Sequence, residues 1–189
     1  MLEETLPNLY DILTDTERAL PPFEKIVSFL TQHAASFRII EHEPEGQSDK
    51  IAKIRGNEPQ QGAKAILTIS TRSNSSPYTL VVVPANEGLD FGKLKKLIGV
   101  KNTTMAPIED MERLTNCVRG SVPPFSFWPE ISLLVDEGLI RRNTEIVFNA
   151  GRLDRSIFLN VRDYVRICKP RLVNVVKSLV AQRLNGVSL

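Results

Sequence analysis

The sequence predicts a single α/β domain, and three observations carry that prediction. Short strand-like apolar runs (Phe37 to Ile40, Ala65 to Ile69, Tyr78 to Val83, Ile131 to Val135, Glu145 to Ala150) are separated by segments whose apolar residues recur at helical spacing. A length of 189 residues fits one domain with room for short terminal additions and a sizeable core. Hydrophobic residues at 42% and charged residues at 24% are in the balance expected of a globular chain.

The elements follow in order. Leu6, Leu9, Ile12 and Leu13 have helical spacing, interrupted by Pro7. Pro21 and Pro22 then open a stronger helix, because proline suits a first helical turn, and Phe23, Ile26, Val27 and Leu30 form its apolar face. After the strand at Phe37, Ser48 is positioned to cap a helix from Asp49 to Arg55 that stops at Gly56. Residues Arg72 to Pro77, rich in Ser and Asn, read as a loop before the buried strand at Tyr78. Asp90 caps a helix from Phe91 to Ile98 that ends at Gly99, and a further helix runs through Met111 and Leu114. Beyond the strands at Ile131 and Glu145, Gly151 marks a turn, Ile157 to Leu159 is a strand and Val161 to Ile167 a short helix. Pro170 opens an expected last helix with Leu172, Val173, Val176, Leu179, Val180 and Leu184 on its apolar face.

Charge and composition exclude several classes. The net charge of +2 conceals an acidic start and a basic end: residues 138–189 carry ten Lys/Arg and three Asp/Glu. Such an end suits a nucleic-acid partner as well as it suits a solvated helix face. No apolar run reaches the length of a membrane span, and Met1-Leu2-Glu3-Glu4 lacks the pattern of a signal peptide. Two cysteines, Cys117 and Cys168, provide no disulfide framework, so a reducing cytoplasm is the expected compartment. His42 lies among acids with only His33 as a fellow histidine, and it reads as a structural or peripheral polar residue with no metal site. There is no Walker-type phosphate loop and no Ser/His/Asp or Cys/His pattern.

Two stretches point to chemistry. Gly120-Ser121-Val122-Pro123-Pro124-Phe125 begins at a permissive residue and ends at two rigid ones, so it is a stiff loop whose amides lack regular partners. Amides held in that way polarise a carbonyl or stabilise an oxyanion. The plainer alternative is a turn ahead of a hydrophobic anchor made by Phe125, Phe127 and Trp128. Lys64, enclosed by Ala63 and Ala65 at the entry of a buried strand, needs an anion or a cleft for its ammonium. Its plainer alternative is a side chain snorkelling from a sheet edge.

Taken together, Gly62-Ala63-Lys64-Ala65, Leu89-Asp90 with Lys93-Leu94, Gly99, Lys101, Met105-Ala106, Gly120-x-x-x-Pro124-Phe125, Asp136 and Ala150-Gly151 resemble the YbaK/ProX family. Its members are trans-editing aminoacyl-tRNA deacylases related to the insertion domain of bacterial prolyl-tRNA synthetases. The resemblance runs from about Phe37 to Cys168. It implies a mixed, strongly bent sheet flanked by helices, with residues 1–36 a helical N-terminal extension, 37–168 the editing domain and 169–189 a C-terminal helix. It places catalytic roles on Lys64, facing the 3′ end of tRNA, and on the backbone of Gly120, Ser121 and Val122, cradling the carbonyl. Substrate-binding roles fall on Met105, Ala106, Pro123, Pro124, Phe125, Asp136 and Gly151.

The activity so implied is hydrolysis, in trans, of the ester of a small misattached amino acid (Ala, Cys, Ser or Thr) on tRNA. Attack by water is assisted by the ribose hydroxyl, with no cofactor and no metal. The expected partner is the acceptor end of an aminoacyl-tRNA, with an aminoacyl-tRNA synthetase as a further candidate and no membrane. Alternatives are a non-catalytic tRNA- or synthetase-binding module of the same fold, and an interaction protein built on the terminal helices. The chain departs from the family at Pro84-Ala85-Asn86, Asn116, Ser126 and Asp154, around the pocket and its approaches, so these departures bear on amino-acid specificity.

Overall fold

The computed structural model describes residues 8–71 and 77–177. Helices α1 (Leu9–Ile12), α2 (Asp15–Ala19) and α3 (Pro22–Gln32) come first. Thr14 and Glu17 form a capping box on α2, and Pro22 occupies the first turn of α3, where its missing N–H has no helical partner to lose. Leu9, Leu13, Ile26, Phe29 and Leu30 are buried in the same core as the sheets, so these helices form one wall of the domain.

Strand β1 (Phe37–Glu41) leads to α4 (Ser48–Arg55), which ends at Gly56 in the left-handed conformation. Ser48 is the first helical residue and not the cap expected of it; the cap position is Gln47, without a side-chain cap bond. The Glu45 carboxylate accepts the amides of Gly46 and Gln47 instead. A 3₁₀ turn then leads into β2 (Ala63–Thr71), β3 (Tyr78–Pro84) and α5 (Phe91–Leu97). Asp90 caps α5 by accepting the amides of Gly92 and Lys93. Next come β4 (Asn102–Met105), α6 (Ile108–Thr115), β5 (Ile131–Asp136), α7 (Glu137–Arg141), β6 (Glu145–Asn149), β7 (Arg155–Asn160) and α8 (Val161–Cys168). Strand β4 carries no apolar period, since Asn102-Thr103-Thr104 lies on a sheet edge, and α7 has only five residues; neither had a pattern to reveal it.

The strands form two sheets: a mixed one in the order β4-β2-β3-β5 with a last strand beside β5, and an antiparallel one in the order β1-β7-β6. Among the described residues one parallel bridge, from Gly62 to Val147, joins them, so the β surface bends where β2 begins. Strand β3 is covered on both faces. Leu80 and Val82 face the main core, while Val81 and Val83 join Leu89, Leu94, Leu134 and Val173 in a second cluster, which explains its unbroken apolar run.

The helix expected to open at Pro170 is corrected in the described residues. Arg171–Val173 forms β8, the strand beside β5, paired parallel to it. The buried Asp136 carboxylate then accepts the Val175 amide at 3.0 Å, which holds the chain extended along the sheet. The rest of that expected helix and residues 72–76 of the expected loop lie outside the described residues. No helix among the described residues is long and apolar enough to cross a membrane.

Candidate active site

A cavity opens at the seam where the two sheets part. Strand β2 supplies Lys64, the far end of α4 supplies Arg55, with Asn57 just beyond it, and β6 supplies Asn149. Gly120 and Val122 close it from the long loop after α6.

Backbone hydrogen bonds decide what that loop can donate. The Gly120 carbonyl accepts from the Asn149 side-chain amide at 2.9 Å, and the Ser121 carbonyl accepts from the Gly151 N–H at 2.9 Å. The Ser121 N–H turns back to the Val118 carbonyl at 3.0 Å, and its hydroxyl donates to the same oxygen at 2.9 Å. In a trans peptide the N–H points opposite to its C=O. The peptide joining Gly120 to Ser121 is therefore occupied at both ends. The one joining Ser121 to Val122 is tied only by its carbonyl, so the Val122 N–H faces away from Gly151. Among the described residues neither the Gly120 nor the Val122 amide has a partner. Ser121 is fully buried. The expectation that all three amides are open is thus corrected: Gly120 and Val122 line the cavity, and Ser121 is the brace between them.

Gly120 has φ +88°, and a Cβ on it would lie 2.8 Å from Gly46 Cα and 2.9 Å from Gly46 O. The close approach that requires a glycine is made by the neighbouring backbone. The far end of the loop is anchored in the core. Phe125, with no exposed surface, stacks on Phe127 at 5.1 Å and meets Phe29, Phe148 and Tyr164 edge-on. The Tyr164 hydroxyl donates to the Pro124 carbonyl at 2.7 Å. Burial of such a ring stabilises by about 1.5–3 kcal/mol and each aromatic pair by about 0.5–1.5 more, so the loop's position is set by the core.

Lys64 is half-buried. Its ammonium donates to the Ala85 carbonyl at 3.0 Å and the Glu87 carbonyl at 2.6 Å, which leaves one N–H for the cavity. Burial lowers its pKa, opposed by the charge of Glu87. A desolvated ammonium with a spare donor suits an anionic or strongly polar ligand group.

Sequence reasoning missed a second set of groups. Arg55 donates from Nε to the Ser156 hydroxyl at 2.7 Å and from its terminal nitrogen to the Asn149 side-chain oxygen. Among the described residues no carboxylate pairs with it, and burial pushes the guanidinium down to about 10. The Asn149 amide group donates to the Glu45 carbonyl at 2.8 Å as well as to Gly120. His42 backs this network through Ser156, with Nε2 at 2.6 Å from the hydroxyl and Nδ1 donating to the Glu43 carbonyl at 2.8 Å. The arrangement fixes Asn149, and Asn149 fixes Gly120. The only local signal was an arginine one residue before a helix-ending glycine.

Several expected site residues lie elsewhere. Phe125 and Pro124 belong to the core, and Pro123 faces a separate cleft beside Phe127 and Trp128. Met105, 58% exposed, sits on the edge strand opposite Thr68, four residues along β2 from Lys64 and so about 13 Å away. Ala106 donates its amide to Leu67 and packs on the core. Asp136, 2% exposed, accepts the Gly138 amide at 2.9 Å and the Val175 amide, which makes it a structural cap. Gly151, with φ +76°, lies against Pro22 and acts through its bond to the Ser121 carbonyl. Cys117 is buried, and burial raises its thiol to about 11. No group of three or more His, Cys, Asp or Glu among the described residues could hold a metal ion.

Fold and cavity together define an α/β domain whose cleft combines two backbone amides without partners among the described residues, a lysine and an arginine. The aminoacyl-tRNA editing domain family matches residues 42–167, and the chain belongs to that family. It is 35% identical over 162 residues, 86% of this chain and 97% of the relative, to the multifunctional Ser/Thr-tRNA deacylase ProXp-y of Escherichia coli strain K12. Among solved structures it resembles hypothetical protein APE2540, with a TM-score of 0.72 and 19% identity over 80% of this chain and 99% of that one. A second, assigned provisionally as a trans-editing enzyme for prolyl tRNA synthetase, has a TM-score of 0.71 and 18% identity over 84% and 99% of the two chains.

Proposed function

We propose that this protein hydrolyses, in trans, the ester between tRNA and a small misattached amino acid, with Ser and Thr first among Ala, Cys, Ser and Thr. The observation that carries the reading is the loop at Gly120, where two unpartnered amides border a cavity that also holds Lys64. Similarity to a Ser/Thr-tRNA deacylase supports the choice of amino acids. A synthetase discriminates poorly between small side chains, because one methylene is worth only about 1–3 kcal/mol, so a second hydrolytic site restores fidelity.

In this reading the Gly120 and Val122 amides polarise the ester carbonyl and take up charge as it becomes an oxyanion. Lys64 gives its spare N–H to a phosphate or ribose oxygen of the terminal adenosine and holds the ester over the loop. The ester is already activated by the adjacent ribose hydroxyl, which assists water attack, so no nucleophilic side chain is required. Lys64, Gly120 and Val122 are the groups at the reacting atoms, and Ser121, Gly151 and Asn149 position them. The partner is the acceptor end of tRNA in the cytoplasm, with a synthetase as a candidate companion.

The test is incubation with a panel of mischarged tRNAs, following loss of the ester. Turnover of seryl- and threonyl-tRNA with slow or no turnover of correctly charged large amino acids is expected. Failure to hydrolyse any ester in the panel refutes the activity. A 2′-deoxyadenosine end should be bound and hardly cut; full activity on it refutes the assisting role of the ribose hydroxyl.

A further inference from the structure

We infer that Arg55 and Asn57 form the subsite that reads a hydroxyl group on the amino-acid side chain of the substrate; this rests on the deacylase reading for the identity of the ligand. The two residues flank Gly56, which ends α4 with φ +69°, and both line the cavity. Between them they hold hydrogen-bonding capacity of both signs that the fold does not use.

Arg55 has five N–H donors. Its Nε and one terminal nitrogen serve Ser156 and Asn149, and among the described residues Nη1 has no partner. The absence of any carboxylate distinguishes it from the nearby arginines Arg142, Arg152 and Arg155, each ion-paired. A half-buried guanidinium with only neutral partners keeps spare donors for a ligand oxygen.

Asn57 provides the opposite function. Its amide nitrogen donates to the Glu58 carbonyl at 2.8 Å, while its side-chain oxygen is buried and has no donor. Orphaned buried acceptors are rare because each forgoes the hydrogen bonds it had in water. A hydroxyl is the small group that satisfies both sides at once, accepting from Arg55 and donating to Asn57. A methyl or thiol side chain leaves the pair unsatisfied or poorly satisfied. Sites built to bond a substrate hydroxyl reject the analogue lacking it far more strongly than apolar pockets distinguish methylenes. The α-ammonium of the substrate, common to every amino acid, is repelled by the guanidinium and so cannot supply the discrimination.

The experiment measures affinity by calorimetry for two non-hydrolysable ligands, adenosine carrying serine or alanine through a 3′-amide in place of the ester. Wild type is expected to bind the seryl analogue at least ten times more tightly than the alanyl one. Arg55→Leu and Asn57→Ala should each bring that ratio down by about tenfold or more. Asn57→Ala leaves the bonds to Asn149 and Ser156 in place, so it remains informative if Arg55→Leu folds poorly. Equal affinities in wild type, no binding of either ligand, or an undiminished ratio in Asn57→Ala overturns the subsite. Since this is a binding measurement, its failure is separable from failure of the hydrolytic assay on mischarged tRNA.

Discussion

Replacing Gly120 by alanine tests the whole account of the loop, because two independent penalties fall on one methyl group. At φ +88° the backbone is left-handed, which costs an L-residue with a Cβ roughly 1–2 kcal/mol. The new Cβ would also lie 2.8 Å from Gly46 Cα, about 0.6 Å inside the 3.4 Å at which ordinary contact begins. Neither side yields easily. Asn149 ties both the Gly120 carbonyl and the Glu45 carbonyl, and the Glu45 side chain holds the Gly46 amide. Overpacking of this kind costs a further ~1–3 kcal/mol, so the loss of stability should be roughly 2–5 kcal/mol.

The relief open to the loop is to move Gly120 and Val122 away from Gly46 by about half an ångström or more. Removing one oxyanion donor costs about 10²–10³ in turnover, so kcat should fall on the order of 100-fold with KM little changed. Gly99→Ala is the control. Gly99 also has positive φ, at +69°, but nothing lies within 4 Å of a Cβ there, so it should lose only about 1–2 kcal/mol and no activity. Denaturant titration and single-turnover deacylation of seryl-tRNA read the two effects. A Gly120→Ala protein no less stable than Gly99→Ala, or within a few-fold of wild-type turnover, would refute the argument.

Five further outcomes follow from the same geometry. Lys64→Ala should cost about 100-fold in turnover and Lys64→Arg should rescue little, since a planar fork does not replace a compact ammonium. Because burial sets the Lys64 pKa below 10.5, wild-type affinity for an amide-linked analogue should fall as pH rises through that lowered value, and this limb should vanish in Lys64→Ala. Cys117→Ala should retain turnover and no acyl-enzyme should form on the thiol; with its pKa at about 11 against 9.0 unfolded, the folded state keeps the proton longer, so the thiol withdraws stability as pH rises from 9.0 towards about 11. Salt dependence of tRNA binding should flatten in Lys53→Glu and Arg119→Glu, exposed cations adjacent in sequence to the cavity-lining Ala52 and Gly120, more than in Arg152→Glu, whose guanidinium is paired with Asp154; equal slopes would contradict this. Asp136→Ala should lose about 2–3 kcal/mol of stability by orphaning the Gly138 and Val175 amides, while the folded protein keeps its turnover number.

Pairing explains why the basic end of the chain is a poor guide to the RNA-facing surface. Arg141, Arg142, Arg152, Arg155 and Arg166, half of the ten Lys/Arg in that segment, bond to Glu137, Glu87, Asp154, Glu41 and Asp163 respectively. Composition counts charges but not their partners, and Glu41 and Glu87 lie far upstream of the arginines they meet.

Local sequence was enough for the features whose causes are local. The stiffness of Gly120 to Pro124, the cap at Asp90, the helix stop at Gly56 and the buried run of β3 are all dictated by residues within a few positions of one another. Lys64 was legible for the same reason, as a charge at the mouth of an apolar strand. The remainder depends on contacts across the chain. Nothing near Ser121 discloses that its amide is occupied while that of Val122 is open, because the answer lies in Asn149 and Gly151, some thirty residues away. Arg55 reads as an ordinary helix-ending cation until β6 and β7 bring Asn149 and Ser156 against it across 94 and 101 residues. Asp136 and Phe125 had the right types for a site, yet tertiary packing made one a cap and the other the centre of an aromatic cluster. A residue type specifies what a group can do; the neighbours that folding supplies decide whether it is already engaged.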